Sequence, residues 1–310
     1  MRKMRNTIRA KRKKPPFWWA FIYSVMLVSF TAFVLLKTFV IQSVQVAEVQ
    51  AGSGASVTAE KTAAVNASVS DQSYKDSNIS VKLSQERVKD TTVYIADIQV
   101  SSADYLKTAF ANNSYGRNIK ETTSEMAERN NAILAVNGDY YGFRDDGYVL
   151  RNGTLYRSNY GDPDEEAFVL YQDGTCDIIK ESQQTAESLL DAGAMQILTF
   201  GPGLIENGSM AVQANQEVEQ AKNSNPRTAI GMISPLHYII VVSDGRTEES
   251  QGLSLYELAE IMKDQGCTEA YNLDGGGSSV MYFNGKVVNN PTDGRKLGER
   301  EVSDIVYIGY

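Results

Sequence analysis

Asn225-Pro226-Arg227-Thr228-Ala229-Ile230-Gly231, then His237-Tyr238-Ile239-Ile240-Val241-Val242-Ser243-Asp244-Gly245-Arg246, then Ala270-Tyr271-Asn272-Leu273-Asp274-Gly275-Gly276-Gly277-Ser278-Ser279 is the stretch on which the fold turns. The apolar, β-branched run 237–243 predicts a buried strand, and 270–273 predicts another. Between them Ser254 and Glu257 form a capping box, Leu255, Leu258, Ala259 and Met262 share one face, and Gly266 supplies the stop. That pattern predicts a helix over 255–265, hence a β-α-β unit.

Outward from this unit the chain is rich in short β-prone runs. Val93, Ile95, Ile98 and Val100 mark one strand, and 133–136 another, preceded by a helix opened by Thr122 and Glu125. Asn152-Gly153, Asp173-Gly174 and Asn284-Gly285 each read as hairpin turns. The expected fold class is α/β in the mixed α+β sense: a mixed β-sheet with packed helices and several hairpins, preceded by one N-terminal transmembrane helix.

The formal charge of −8 conceals an asymmetry, because residues 1–47 hold nine Lys/Arg and no acid, which leaves 21 basic against 38 acidic residues in 48–310. So acidic a body would be repelled by nucleic acid, and that partner is excluded. The basic head adjoins an uncharged run, 17–36, long enough to cross a hydrocarbon core of roughly 30 Å. The positive charge places the N-terminus in the cytoplasm and everything after Lys37 outside it, with Trp18 and Trp19 at the interface. A cleaved signal peptide is the rival, but the apolar run is longer than a typical signal core and no clear cleavage site follows. The expected organisation is a basic cytoplasmic segment 1–16, an anchor 17–36, a linker 37–78 poor in aromatic residues, and a domain 79–310. Cys176 and Cys267 allow one disulfide or none.

The chemistry-bearing residues cluster at predicted strand ends. Asn137, Asp139, Tyr140 and Tyr141 follow 133–136; Arg227 and Thr228 open a strand; Asp244 ends one; Asp274 with Gly275, Gly276, Gly277 and Ser278 ends another; Glu299 and Arg300 precede the last, 304–308. Three glycines let a backbone turn sharply and direct N–H groups at an anion. Arg227 and Arg300 add a bidentate grip on phosphate oxygens. The bland readings are turn acids for Asp139 and Asp244, a structural ion pair for Arg227, a tight turn for the glycines, and packing for the tyrosines. His237 is the only histidine and reads as a strand residue, which makes a Ser-His-Asp triad or a histidine-rich two-metal centre hard to build.

The ordered set NPRTAIG (225–231), SDGRTEE (243–249), LSLYELAEIM (253–262), NLDGGGSS (272–279) and the FNG turn (283–285) resembles the phosphodiester glycosidases. Weaker similarity runs back through FGPGLIENG (200–208) to AVNGDYYGF (135–143), so roughly residues 130–310 are covered. The resemblance implies a mixed α/β hydrolase acting on a glycosyl phosphodiester without an organic cofactor. By matching motif it nominates Arg227, Asp244, Asp274, Gly275, Gly276 and Ser278, while Gly298-Glu299-Arg300 looks like a bacterial form of the C-terminal motif. A phosphorylated leaving group departs as a stable anion, so arginines can replace much of a general acid while Asp274 or Glu299 serves as base or nucleophile. The expected partners are a sugar-phosphodiester or polysaccharide substrate and the membrane. Two alternatives stay open: a non-catalytic glycan or sugar-phosphate-binding module, and a phosphohydrolase with a divalent cation held by carboxylates.

Overall fold

The computed structural model describes residues 17–39, 67–214, 224–294 and 296–310; the basic segment 1–16 and much of the expected linker lie outside them. The chain divides into two units, residues 1–43 and 44–310. In the first, helix α1 (Trp18–Phe39) is 22 residues long, and its 18-residue segment Trp18–Leu35 is long and apolar enough to cross a membrane. A signal sequence meets the same description.

The second unit is an α+β fold dominated by sheets. One nine-stranded sheet carries, from edge to edge, Ser68–Val69, Ser73–Lys75, Ile79–Val88, Thr91–Val100, His237–Ser243, Thr228–Ser234, Glu269–Asn272, Gly203–Glu206 and Ser209–Met210. The sheet begins before the expected boundary at residue 79, because Ser73–Lys75 pairs antiparallel with Ile79–Val88 across a turn held by the Asp76 carboxylate. With the edge strand Ser68–Val69 that pairs outside it, this segment is short and largely exposed or half-exposed, so its sequence reads like linker. The strands His237–Ser243 and Glu269–Asn272 each pair antiparallel with Thr228–Ser234, which lies between them. They run parallel without being neighbours, so the helical crossover skips one strand.

Alternation along the strands separates two cores. Tyr94, Ala96 and Ile98 face the central core, while Val93 and Ile95 face the opposite side. On that opposite side lie Leu255, Leu258, Ala259 and Met262 of helix α4 (Leu255–Asp264), whose capping box of Ser254 and Glu257 forms as the sequence predicts. Each fully buried Leu or Met there contributes about 1.5–3 kcal/mol. Across the central core a five-stranded sheet contributes Leu134, Val136, Val306 and Ile308, and its outer face packs on helix α2 (Thr123–Arg129) through Ala135, Ile305 and Met126. Another five-stranded sheet, containing Glu166–Tyr171 and Val149–Arg151, packs on α3 (Ala186–Asp191).

The Asn152-Gly153 and Asn284-Gly285 turns both have positive φ at the two central positions, the geometry that matches strand twist; at Asp173-Gly174 the glycine alone has it. Cys176 and Cys267 are free and belong to different cores.

Candidate active site

The strand Glu269–Asn272 delivers Asp274 to the end of the large sheet. Its main chain is tied to the neighbouring sheet: Asn137 Nδ2 donates to the Asp274 carbonyl at 2.6 Å, and the Asp274 N–H donates to the Gly138 carbonyl at 3.4 Å. Asn137 Oδ1 in turn accepts from Thr228 Oγ1 at 2.8 Å. Asn137, Thr228 and Asp274 therefore join the ends of three strands from two sheets.

The half-buried Asp274 carboxylate accepts from the Gly275 N–H at 2.8 Å through Oδ1 and from Ser278 Oγ at 2.7 Å through Oδ2. Burial pushes its pKa up to about 6, against the opposing pull of these two hydrogen bonds and the Arg300 charge.

Four N–H groups of the bend are engaged within the protein. The Gly275 N–H is taken by Asp274, the Gly276 N–H by the Pro226 carbonyl, and the Ser278 and Ser279 N–H groups by Gly275 and Gly276 carbonyls. What the missing Cβ atoms provide is room for guanidinium groups. A Cβ on Gly276, whose φ is 65°, would lie 2.7 Å from Arg246 Nη2; one on Gly277 would lie 2.7 Å from Arg300 Nε; one on Gly275 would lie 3.9 Å from Arg227 Cδ. Two guanidinium groups, those of Arg246 and Arg300, thus lie against one glycine bend, and the Arg227 side chain is in ordinary contact beside it, in a protein that is acidic overall.

Each arginine is held differently. Arg227 is buried and donates through Nε to the Leu253 carbonyl at 3.0 Å. Arg246 donates to Asn225 Oδ1 at 3.1 Å, and its backbone adopts φ 63°, a left-handed conformation that costs about 1–3 kcal/mol in a non-glycine residue. Burial, and then the charge of Arg300, lower its pKa. Arg300 donates through Nε and Nη2 to Asp293 Oδ1 at 2.9 and 2.7 Å.

The other nominated acids stand one layer back. Asp244 accepts from the Asn290 N–H at 2.8 Å and Asn290 Nδ2 at 3.1 Å; burial raises its pKa. Thr292 Oγ1 bonds the Gly245 carbonyl, so this corner fixes the loop that carries Asp293. Asp139 lies in a buried ion cluster, 2.8 Å from Arg151 Nη2, which also contacts Asp304 at 2.8 Å. Both Glu299 oxygens are engaged by Ser124, from Oγ at 2.6 Å and from the backbone N–H at 3.0 Å, at the N-terminus of α2. A carboxylate there satisfies an orphan amide and complements the helix dipole. His237 bonds Asp97 at 2.8 Å, at the end of its strand remote from Asp244.

Reading the sequence missed Arg246, Asp293, Arg151 and Asp304. Arg246 sits within the quoted SDGRTEE motif, but its neighbours suggest only a turn. Arg151 and Asp304 could have been found as charged residues inside β-prone runs, where alternation leaves them no solvent. Asp304 is fully buried; its Oδ1 has no hydrogen-bond partner among the described residues and faces Gly138, where any Cβ would collide with it. Burial holds its pKa well above the ordinary carboxylate range, the Arg151 charge working against this and the Asp139 and Asp274 charges with it.

Fold and site together define an α+β protein with a carboxylate and an arginine-flanked glycine bend at its strand ends. The family model described as phosphodiester glycosidase matches residues 130–309, more than half of the chain, and the chain belongs to that family. It is 32% identical over 214 residues to the SPbeta prophage-derived uncharacterized protein YomE of Bacillus subtilis, covering 67% of this chain and 32% of that protein. It is 30% identical over 191 residues to the N-acetylglucosamine-1-phosphodiester alpha-N-acetylglucosaminidase of Mus musculus, covering 56% and 36%. The chain therefore spans about a third of the length of these curated relatives. Among solved structures, the zebrafish N-acetylglucosamine-1-phosphodiester alpha-N-acetylglucosaminidase catalytic domain, auto-inhibited by its pro-peptide, superposes with a TM-score of 0.57 at 21% identity, covering 75% of this chain and 83% of that one. A hypothetical protein from Synechocystis gives 0.52 at 14% identity, covering 74% and 62%. These two likenesses concern the fold.

Proposed function

We propose that the chain hydrolyses a sugar-1-phosphodiester at the bond between the anomeric carbon and oxygen. The observation that carries this reading is the placement of the Arg246 and Arg300 guanidinium groups against the glycine bend directly after Asp274, with the Arg227 side chain beside it. Family membership and the activity named for the mouse relative support the same reaction class.

In this mechanism the phosphodiester lies against the guanidinium groups, which hold the charge that accumulates as the anomeric C–O bond breaks. The leaving group departs as a phosphate monoester carrying both bonding electrons. Asp274, whose two held oxygens each keep a lone pair, acts at the anomeric carbon, either directly or by taking a proton from the attacking water. The products are the free sugar, bearing the water oxygen, and the phosphate monoester. Asp274 is favoured over Glu299 because it directly precedes the glycine bend against which Arg246 and Arg300 lie, whereas Glu299 is bound to Ser124 at the N-terminus of α2. Asp139 is a supporting group, through Arg151.

The substrate is proposed to be cell-surface or exopolysaccharide material. The basic head and the apolar α1 support a single-pass anchor with the second unit outside the cytoplasm. The test is hydrolysis of an N-acetylglucosamine-1-phosphodiester by the full chain in detergent and heavy-oxygen water. Label on the sugar is the expected result. Label on phosphate means attack at phosphorus and overturns it, and saturable binding without turnover leaves a sugar-phosphate-binding module.

A further inference from the structure

The strand Glu269–Asn272, which leads to Asp274, has different surroundings on its two sides. On one side it pairs with Thr228–Ser234, which Arg227 precedes; on the other it pairs with Gly203–Glu206, which Phe200 and Gly201 precede. The loop of Phe200 is bound directly to this strand: Asn272 Nδ2 donates to the Gly201 carbonyl at 2.7 Å, and the Phe200 N–H donates to Tyr271 Oη at 2.9 Å. Against Phe200, at 6.2 Å and nearly edge-on, lies Tyr140, two residues after the Gly138 carbonyl that accepts the Asp274 N–H. Tyr140 is stacked on Phe143 at 5.3 Å with 23° between the rings.

Tyr140 is 40% exposed, while its neighbours Asp139 and Tyr141 are buried. A partly exposed ring braced by two other aromatics offers a pre-positioned face for stacking. The two loops that bear this cluster are the two that tie down the strand end at Asp274, away from the arginine side. A pyranose presents an apolar face of C–H groups that suits such a ring, and the Gly138 carbonyl, two residues before Tyr140, is bonded to the Asp274 N–H.

We propose that Tyr140, braced by Phe143 and Phe200, forms the subsite on which the sugar ring of a sugar-1-phosphate group stacks. The inference rests on the functional reading above for the class of ligand, but it concerns binding and is read without turnover.

The probes are N-acetylglucosamine 1-phosphate and inorganic phosphate, titrated calorimetrically into the full chain in detergent. Stacking of about 0.5–1.5 kcal/mol converts to a Kd for the sugar phosphate raised roughly 3- to 10-fold in Tyr140→Ala. The Kd for inorganic phosphate stays unchanged, and Tyr140→Phe binds both ligands like the unmodified protein. Because Tyr140 is exposed, the variant keeps its fold, verified by its unfolding temperature. Equal weakening for both ligands, no change for either, or no gain in affinity from the sugar overturns the subsite. Hydrolysis of the diester, measured in parallel, judges the enzymatic reading separately: a protein without turnover but with the sugar-dependent difference keeps the subsite and loses the reaction.

Discussion

Replacing Gly277 by alanine tests the site through a single methyl group. Gly277 has no positive φ, so alanine fits its backbone. The added Cβ would lie 2.6 Å from Asp293 Oδ1, 2.7 Å from Arg300 Nε and 2.8 Å from Arg300 Cζ. Carbon contacts are optimal near 3.5–4.0 Å, so the guanidinium and its carboxylate must retreat by roughly 1 Å. A displacement of that size costs on the order of 100-fold when it misplaces a group that binds the reacting centre. A charge-assisted hydrogen bond lost to phosphate, about 1.5–3 kcal/mol, gives a similar figure. The Arg300–Asp293 pair itself is 42% and 47% exposed and contributes at most about 1 kcal/mol to folding, or some 2–4 °C in Tm. Gly277→Ala is therefore expected to lower kcat/KM for a sugar-1-phosphodiester by about 10- to 100-fold while Tm moves by no more than about 4 °C. The assays are release of phosphate monoester and thermal unfolding followed by circular dichroism. A variant with kcat/KM within threefold of the parent would show that Arg300 does not hold the substrate. A Tm lower by more than about 10 °C would show that the glycine serves folding instead.

Asp274→Asn is expected to reduce kcat by roughly 10²- to 10⁴-fold, whereas Glu299→Gln keeps most of its activity and loses about 1 kcal/mol of stability at the α2 terminus; equal kinetic losses in the two would sink the assignment. Because the Asp274 carboxyl is raised to about 6 and must be ionised to act, kcat/KM should fall as pH drops below about 6. Arg300→Gln removes a charge that lowers this pKa, so the acid limb should move to higher pH; a limb moving lower contradicts the role. Arg151→Met strips the cation from two buried carboxylates and should cost about 3–5 kcal/mol, or some 6–20 °C in Tm. Asp304 then binds its proton more tightly folded than unfolded, so the variant's stability should decline as pH rises from about 4 towards the raised folded value. A Tm for Arg151→Met that is independent of pH would refute this.

Most secondary structure near the site was legible because its determinants are local. Ser254 and Glu257 are three residues apart and meet whenever a helix starts there. Asn152-Gly153 and Asn284-Gly285 reach positive φ on their own account. The short strands Ser68–Val69 and Ser73–Lys75 were not legible, since two or three residues with exposed or half-exposed faces leave little apolar pattern to read.

At the site the division is sharper. Composition, motif order and the run Asp274-Gly275-Gly276-Gly277 were enough to nominate an acid beside a glycine bend, because residue types and their order are read directly along the chain. The sequence could not assign each charge its counterpart. Glu299 meets Ser124 across 175 residues, and Arg151 meets Asp304 across 153. Such pairs depend on where separate sheets bring their strand ends, and Coulomb attraction selects whichever charge arrives within a few ångströms. Hence the residue types and the helix were written locally, whereas the placement of Asp274 beside the arginines, of Glu299 on α2 and of Asp139 on Arg151 was decided only when the sheets packed.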